Sequence, residues 1–157
     1  MRISQDKRAV EALPLRIVII AIIAAVSIVP AADALESLRQ SEFLKRAEHQ
    51  LDVITSTAET LVMEGPGSAR TLALDFGSYG RARFSLLILG DALGEPGMAR
   101  VMLVLSTGSK MLSIADDPPA WIRGEGGSRL IIQTPVFDLR LECTLDGGMD
   151  YVLVQVV

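Results

Sequence analysis

The feature that most limits what this chain can become is the run LPLRIVIIAIIAAVSIVPAA at residues 13–32. Between residues 17 and 29 it holds no charged side chain and one hydroxyl, Ser27. A helix needs about 20 apolar residues to cross a bilayer, and the run reaches that length if Arg16 extends its charge toward the interface. A secretory signal would have a shorter apolar region and a small-residue cleavage site. Val29-Pro30-Ala31-Ala32 fits such a site, so a secreted protein stays open as an alternative. The helical pattern runs straight through that tetrapeptide, which favours retention of the apolar run as a span over about residues 13–32.

The flank at residues 1–12 is short and polar, with Arg2, Lys7 and Arg8 set against Asp6 and Glu11. The positive-inside rule places the N-terminus in the cytoplasm and everything after Ala32 outside. Pro14 suits the first turn of a helix, and Pro30 is expected to kink it by removing one hydrogen bond.

From residue 33 to 63 the pattern becomes one-sided. Leu35, Leu38, Ala47, Leu51, Ile54, Ala58 and Leu61 recur at spacings of three and four, and Phe43, Leu44 and Val62 widen the stripe. Gly65-Pro66-Gly67 supplies both a C-cap residue and a breaker. The expectation is one helix over residues 10–64, in which the apolar and amphipathic runs together make about 50 residues, roughly 75 Å.

After Gly67 the period changes to two. Residues 70–76, 81–89, 100–105, 110–115, 129–133, 136–144 and 151–157 read as strands. Asp146-Gly147-Gly148 reads as a tight hairpin, and Gly77-Ser78-Tyr79-Gly80 and Thr107-Gly108-Ser109 as turns. Residues 91–98 and 116–127 read as longer loops. The fold class is therefore α+β: a long N-terminal helix followed by an antiparallel β-sandwich-like domain over residues 68–157.

Composition narrows the chemistry. Aromatics are 4% of the chain, so aliphatic residues must fill any core. The net charge of -4 argues against a nucleic-acid surface. One cysteine, Cys143, forbids an intrachain disulfide or a cysteine zinc cluster. It alternates in phase with Leu139 and Leu141, as a small buried hydrophobe does. The single histidine, His49, sits between Glu48 and Gln50 on a solvent-facing part of the helix pattern. Asp116-Asp117 precedes a diproline and reads as a turn start, with no third carboxylate to complete a cation site. Trp121, just after the diproline, reads as a lid over the sandwich in preference to an exposed loop anchor. Gly124-Glu125-Gly126-Gly127 lacks the GK[ST] ending of a phosphate loop and reads as a flexible connection. Nothing assembles a nucleophile, a base and an orienter, so neither catalysis, a metal nor a cofactor is expected. The sequence contains no asparagine, which excludes N-linked glycosylation.

Lys7-Arg8-Ala9 directly ahead of a hydrophobic helix resembles the class III signal peptide of type IV pilin-like proteins, particularly archaeal pilins and archaellins. The plan of the whole chain is similar too, with a helix apolar first and amphipathic second, then a compact β-domain. The resemblance implies a leader at residues 1–9 and cleavage after Ala9, with Lys7 and Arg8 as the basic pair and Val10 as the new N-terminus. It implies membrane lipid, identical or related pilin subunits, a prepilin peptidase, an assembly ATPase and a platform protein as partners. The bacterial pattern carries a glutamate five residues after the cut, whereas Glu11 would be second here. Pro14 and Arg16 also interrupt the start of the helix. Glu11 and Arg16 are the candidate assembly residues, since a charge buried in a filament core needs a partner. The alternative is a single-pass membrane protein with an extracytoplasmic β-sandwich interaction domain that never polymerises.

Overall fold

A computed structural model describes residues 7–79, 82–90, 99–116, 118–125 and 129–157, with side chains throughout except at 7–14, 29, 78, 79 and 99. Helix α1 spans Lys7–Glu64 and runs unbroken past Pro30. It ends where Gly65, at φ +90°, donates its N–H to the carbonyl of Leu61 at 3.0 Å. Ser68 Oγ sits 3.0 Å from Leu61 O and 2.8 Å from Gly65 O, covering carbonyls that the helix end would leave open.

The chain divides into two compact units, Met1–Leu38 and Arg39–Val157. Within the second, the rest of α1 is followed by nine strands: β1 Ala69–Asp75, β2 Ser78–Tyr79, β3 Ala82–Leu89, β4 Ala99–Leu105, β5 Lys110–Ala115, β6 Ile122–Gly124, β7 Leu130–Ile132, β8 Val136–Asp146 and β9 Met149–Val156. One sheet has the order β1-β8-β9-β6. In the other, β3 pairs β2 and β7, β4 pairs β3, and β5 pairs β4. Together with the helix this is the α+β architecture that the change of period at Gly67 implies.

The alternation of each strand decides its inward face. Phe137, Leu139, Leu141 and Cys143 of β8 face Val152 and Val154 of β9 across one layer. Leu87 and Leu89 of β3 and Val101, Leu103 and Leu105 of β4 form the other. Both join a single core with Phe43, Ala47, Leu51, Ile54, Ala58 and Leu61 of α1. Phe76 links the layers through rings of Phe84 at 5.5 Å and Phe137 at 6.1 Å. The β8–β9 turn is Gly147-Gly148, both at positive φ, the geometry a two-residue hairpin of right-handed twist requires.

Gly90, one residue past β3, packs tightly against β6 of the other sheet. A Cβ there would lie 2.4 Å from the carbonyl oxygen of Ile122 in β6, and its φ is +82°. Only glycine fits this position.

Four expectations need correction. Leu35 and Leu38 are 50% and 63% exposed, and the buried stripe begins at Phe43, which is central to it rather than a flank. Leu38 lies five residues before Phe43, about 140° around a helix, off the three-and-four spacing that continues to Leu61. The loop expected over residues 116–127 contains β6, which pairs parallel to β9 and is the one parallel pairing among the described residues. Gly124 therefore belongs to a strand rather than a flexible connection. The turn expected at residues 77–80 contains β2, which pairs with β3. Residues 91–98 lie outside the described residues.

Candidate functional site

The apolar run of the first unit is the strongest candidate. Leu15, Ile17, Val18, Ile19, Ile20, Ile22, Ile23, Val26 and Ile28 are between 47% and 68% exposed. Four of them are consecutive, so the apolar surface passes right round the helix instead of forming a stripe. Complete burial of nine such side chains is worth on the order of 15 kcal/mol. A helix apolar on every side and left exposed by the described residues is a candidate membrane span. Among the described residues, α1 is the one helix long and apolar enough to cross a membrane. Arg16 is exposed and is the only charge between residues 15 and 32. Ser27 Oγ donates to Ile23 O at 2.8 Å, so its hydroxyl is satisfied within the helix and suits an apolar setting.

The backbone of Lys7, Arg8, Ala9, Val10 and Glu11 is helical, being the start of α1. Their side chains lie outside those described, and so does any pairing of Glu11 with Arg16.

The second unit offers several polar groups. Thr55 Oγ1, on the buried side of α1, lies 3.2 Å from Ser113 Oγ of β5, which donates to Asp52 Oδ1 at 3.3 Å. Gln50 Nε2 donates to the Asp75 carbonyl at 2.8 Å, and Arg46 pairs with the Asp75 carboxylate at 3.6 Å. These contacts fix α1 against β5 and the end of β1. Sequence reading missed them because Thr55 and Ser113 are 58 residues apart and carry no motif. A hydroxyl interrupting an otherwise apolar strand, as Ser113 does in KMLSIA, is the one available signal.

His49 is exposed. Asp116 is exposed and bridges back to Pro119, while Asp117 lies outside the described residues. Trp121 is half-buried, and its carbonyl accepts the Val152 N–H at 2.6 Å. An open depression of about 420 Å³ is lined by Arg123, Glu125, Asp146 and Tyr151, with the Arg123 guanidinium 5.2 Å from the Tyr151 ring centre. Its charges are mixed. Cys143 is buried, as its phase with Leu139 and Leu141 implies. Burial, and secondarily the negative charge of Asp150, push its thiol up. It is therefore a protonated core residue rather than a nucleophile at neutral pH.

Comparison of the chain with protein-family models, curated proteins and solved structures finds no match.

Proposed function

We propose that this chain is a pilin-like subunit, held in a membrane by residues 13–32 and assembled into a cell-surface filament of the type IV pilus kind. The carrying observation is the all-round apolar surface of residues 15–28 on the same helix whose residues 43–61 form the core of a β-domain. In the bilayer the helix satisfies its backbone internally. In a filament the same surface packs against helices of neighbouring subunits, so it passes from lipid to protein without meeting water. A prepilin peptidase cuts after Ala9, and an assembly ATPase with a platform protein extracts the subunit. The β-domain lies on the extracytoplasmic side. The reading includes no nucleic acid and no enzymatic step.

Positions 11 and 16 lie five residues apart in α1, about 140° around the axis, so they do not face each other within one helix. Glu11 of one subunit is thus assigned to Arg16 of a neighbour. Glu11→Ala is expected to leave the chain in the membrane and reduce filaments, and Arg16→Leu to insert at least as well as the parent.

N-terminal sequencing or intact mass of the chain from native membranes tests the processing step. A start at Val10 is expected. A start near Ala32 or Asp33 would establish an ordinary secreted protein instead. Arg16 favours the second reading, a non-polymerising single-pass protein, because a charge at a membrane edge is tolerated more readily than one in a filament core. Electron microscopy of cell surfaces separates the two: filaments containing this chain support the first reading, and a membrane monomer absent from every filament supports the second.

A further inference from the structure

The two sheets differ on the faces they turn away from the core. The outward residues of the β1-β8-β9-β6 sheet are largely polar: Thr71, Arg140 and Gln155 stand in one row, with Asp138 and Glu142 beside them on β8. Arg140 and Glu142 form an ion pair at 3.0 Å. The outward face of the other sheet is aliphatic. Ile131, Ile88, Met102 and Leu112 stand directly opposite one another across β7, β3, β4 and β5, and Leu86 faces Val104 in the next row. Leu112 is 55% exposed, Ile131 44% and Ile114 41%, and the others are half-buried. Nothing in the chain covers this face among the described residues.

The exposed charges that border it among the described residues are four cations and one carboxylate. Arg83 and Lys110 stand at one end of the face and Arg100 at the other, all exposed and at outward positions of their strands, with the exposed Arg129 one residue before β7. Among the described residues, the one carboxylate in phase with the outward positions is Asp116, one residue beyond β5. This cationic rim stands on a chain of net charge -4.

We propose that this face docks on the surface of a lipid bilayer bearing anionic headgroups. Aliphatic side chains seated at the acyl boundary, with Lys and Arg reaching headgroup phosphates around them, are the chemistry of an interfacial membrane contact. A second copy stacked two-fold on the same face with its strands aligned would set cations over cations at both ends, which disfavours that occupant. The inference does not depend on filament assembly, because it concerns the β-domain and not the apolar helix.

The test uses the full chain in vesicles of phosphatidylcholine, with or without phosphatidylglycerol. Nitroxide labels are placed at Leu112→Cys or Ile131→Cys in a Cys143→Ala background, with Thr71→Cys on the polar sheet face as control. Accessibility to oxygen and to a water-soluble nickel chelate reads depth. With phosphatidylglycerol, the Leu112 and Ile131 labels are expected to lose access to nickel and gain access to oxygen while the Thr71 label stays in water. In phosphatidylcholine alone all three should stay in water. Arg100→Glu or Lys110→Glu should each lower the docked-to-free ratio at least about five-fold. Two results overturn the proposal. One is a Leu112 label that stays in water on both vesicle types. The other is a label shielded equally on both, with shielding that rises with protein-to-lipid ratio, which identifies a second copy as the occupant.

Discussion

Two stretches of α1 are built from similar aliphatic residues and end in opposite circumstances. Residues 15–28 expose large side chains on every side, whereas Phe43, Leu51, Ile54 and Leu61 are at most 2% exposed. The difference lies in spacing and in what lies between. In the later stretch, charged and polar residues such as Lys45, Glu48, His49 and Asp52 occupy the intervening turns, and small Ala47 and Ala58 lie in the buried stripe. The earlier stretch has no polar face at all, so no single protein surface could cover it. Hydrophobicity says that a residue must leave water; periodicity says whether its own chain can provide the place.

The largest effects should come from placing a charge in each stretch. Ile54→Asp buries an unpaired carboxylate and should cost more than about 4 kcal/mol, seen as loss of a cooperative melt. Ile20→Asp should leave the melting of the β-domain within about 0.5 kcal/mol of the parent. It should instead oppose membrane insertion by about 3 kcal/mol, read as a shift from the membrane to the soluble fraction. Equal loss of stability from both changes would break the comparison. Gly90→Ala, which forces a Cβ against the Ile122 carbonyl, should destabilise by about 3 kcal/mol in urea unfolding. That would show that the covered stretch depends on how closely the two sheets approach.

Cys143 gives a pH signature confined to the covered core. Its thiol is held up by burial and by Asp150, so on raising the pH the unfolded chain loses the proton first. Stability is therefore fully present below the ordinary thiol pKa, about 8.5, and declines as pH rises through it toward the folded value. Urea midpoints across that range, with Cys143→Ala losing the decline, check the sign. The smallest effect is expected at the exposed Arg70–Glu64 pair, where Arg70→Ala should cost no more than about 0.5 kcal/mol in the same assay. A chain shortened to begin near Asp33 should be soluble and rich in strand signal by circular dichroism, with one helix. An insoluble or mainly helical product would contradict the boundary.

Much of this was legible in order along the chain. The alternation in VFDLRLECT, the glycine pair after Asp146 and the breaker at residues 65–67 each correspond to the element found there. The places that were not legible depend on distant partners. Strand β6 is three residues long, follows two prolines and exists because β9 lies beside it. Leu35 and Leu38 satisfy a local helical pattern, but the stripe that joins the core begins only at Phe43. The near-continuous aliphatic runs in β3 and β4 announced strands without saying that one sheet would leave its outer face aliphatic. The apolar run at residues 15–28 was legible as a candidate span, because the absence of a polar side is a property of the sequence alone.

The core stripe of α1 also has a mechanical meaning. Within the second unit, a load applied along the axis of α1 acts parallel to the stripe from Phe43 to Leu61. Side chains interdigitated along that line resist sliding together, because a one-turn slip would unseat all of them at once. The hydroxyl contact of Thr55 with Ser113 and the bond from Gln50 to the Asp75 carbonyl lie across the same direction and add to the resistance. Tension is thus borne in shear by the whole interface, whereas a strand at a sheet edge peels one hydrogen bond at a time. Within the second unit the helix is therefore held to the sheets along its whole buried length, and pulling on it loads every contact of the stripe together.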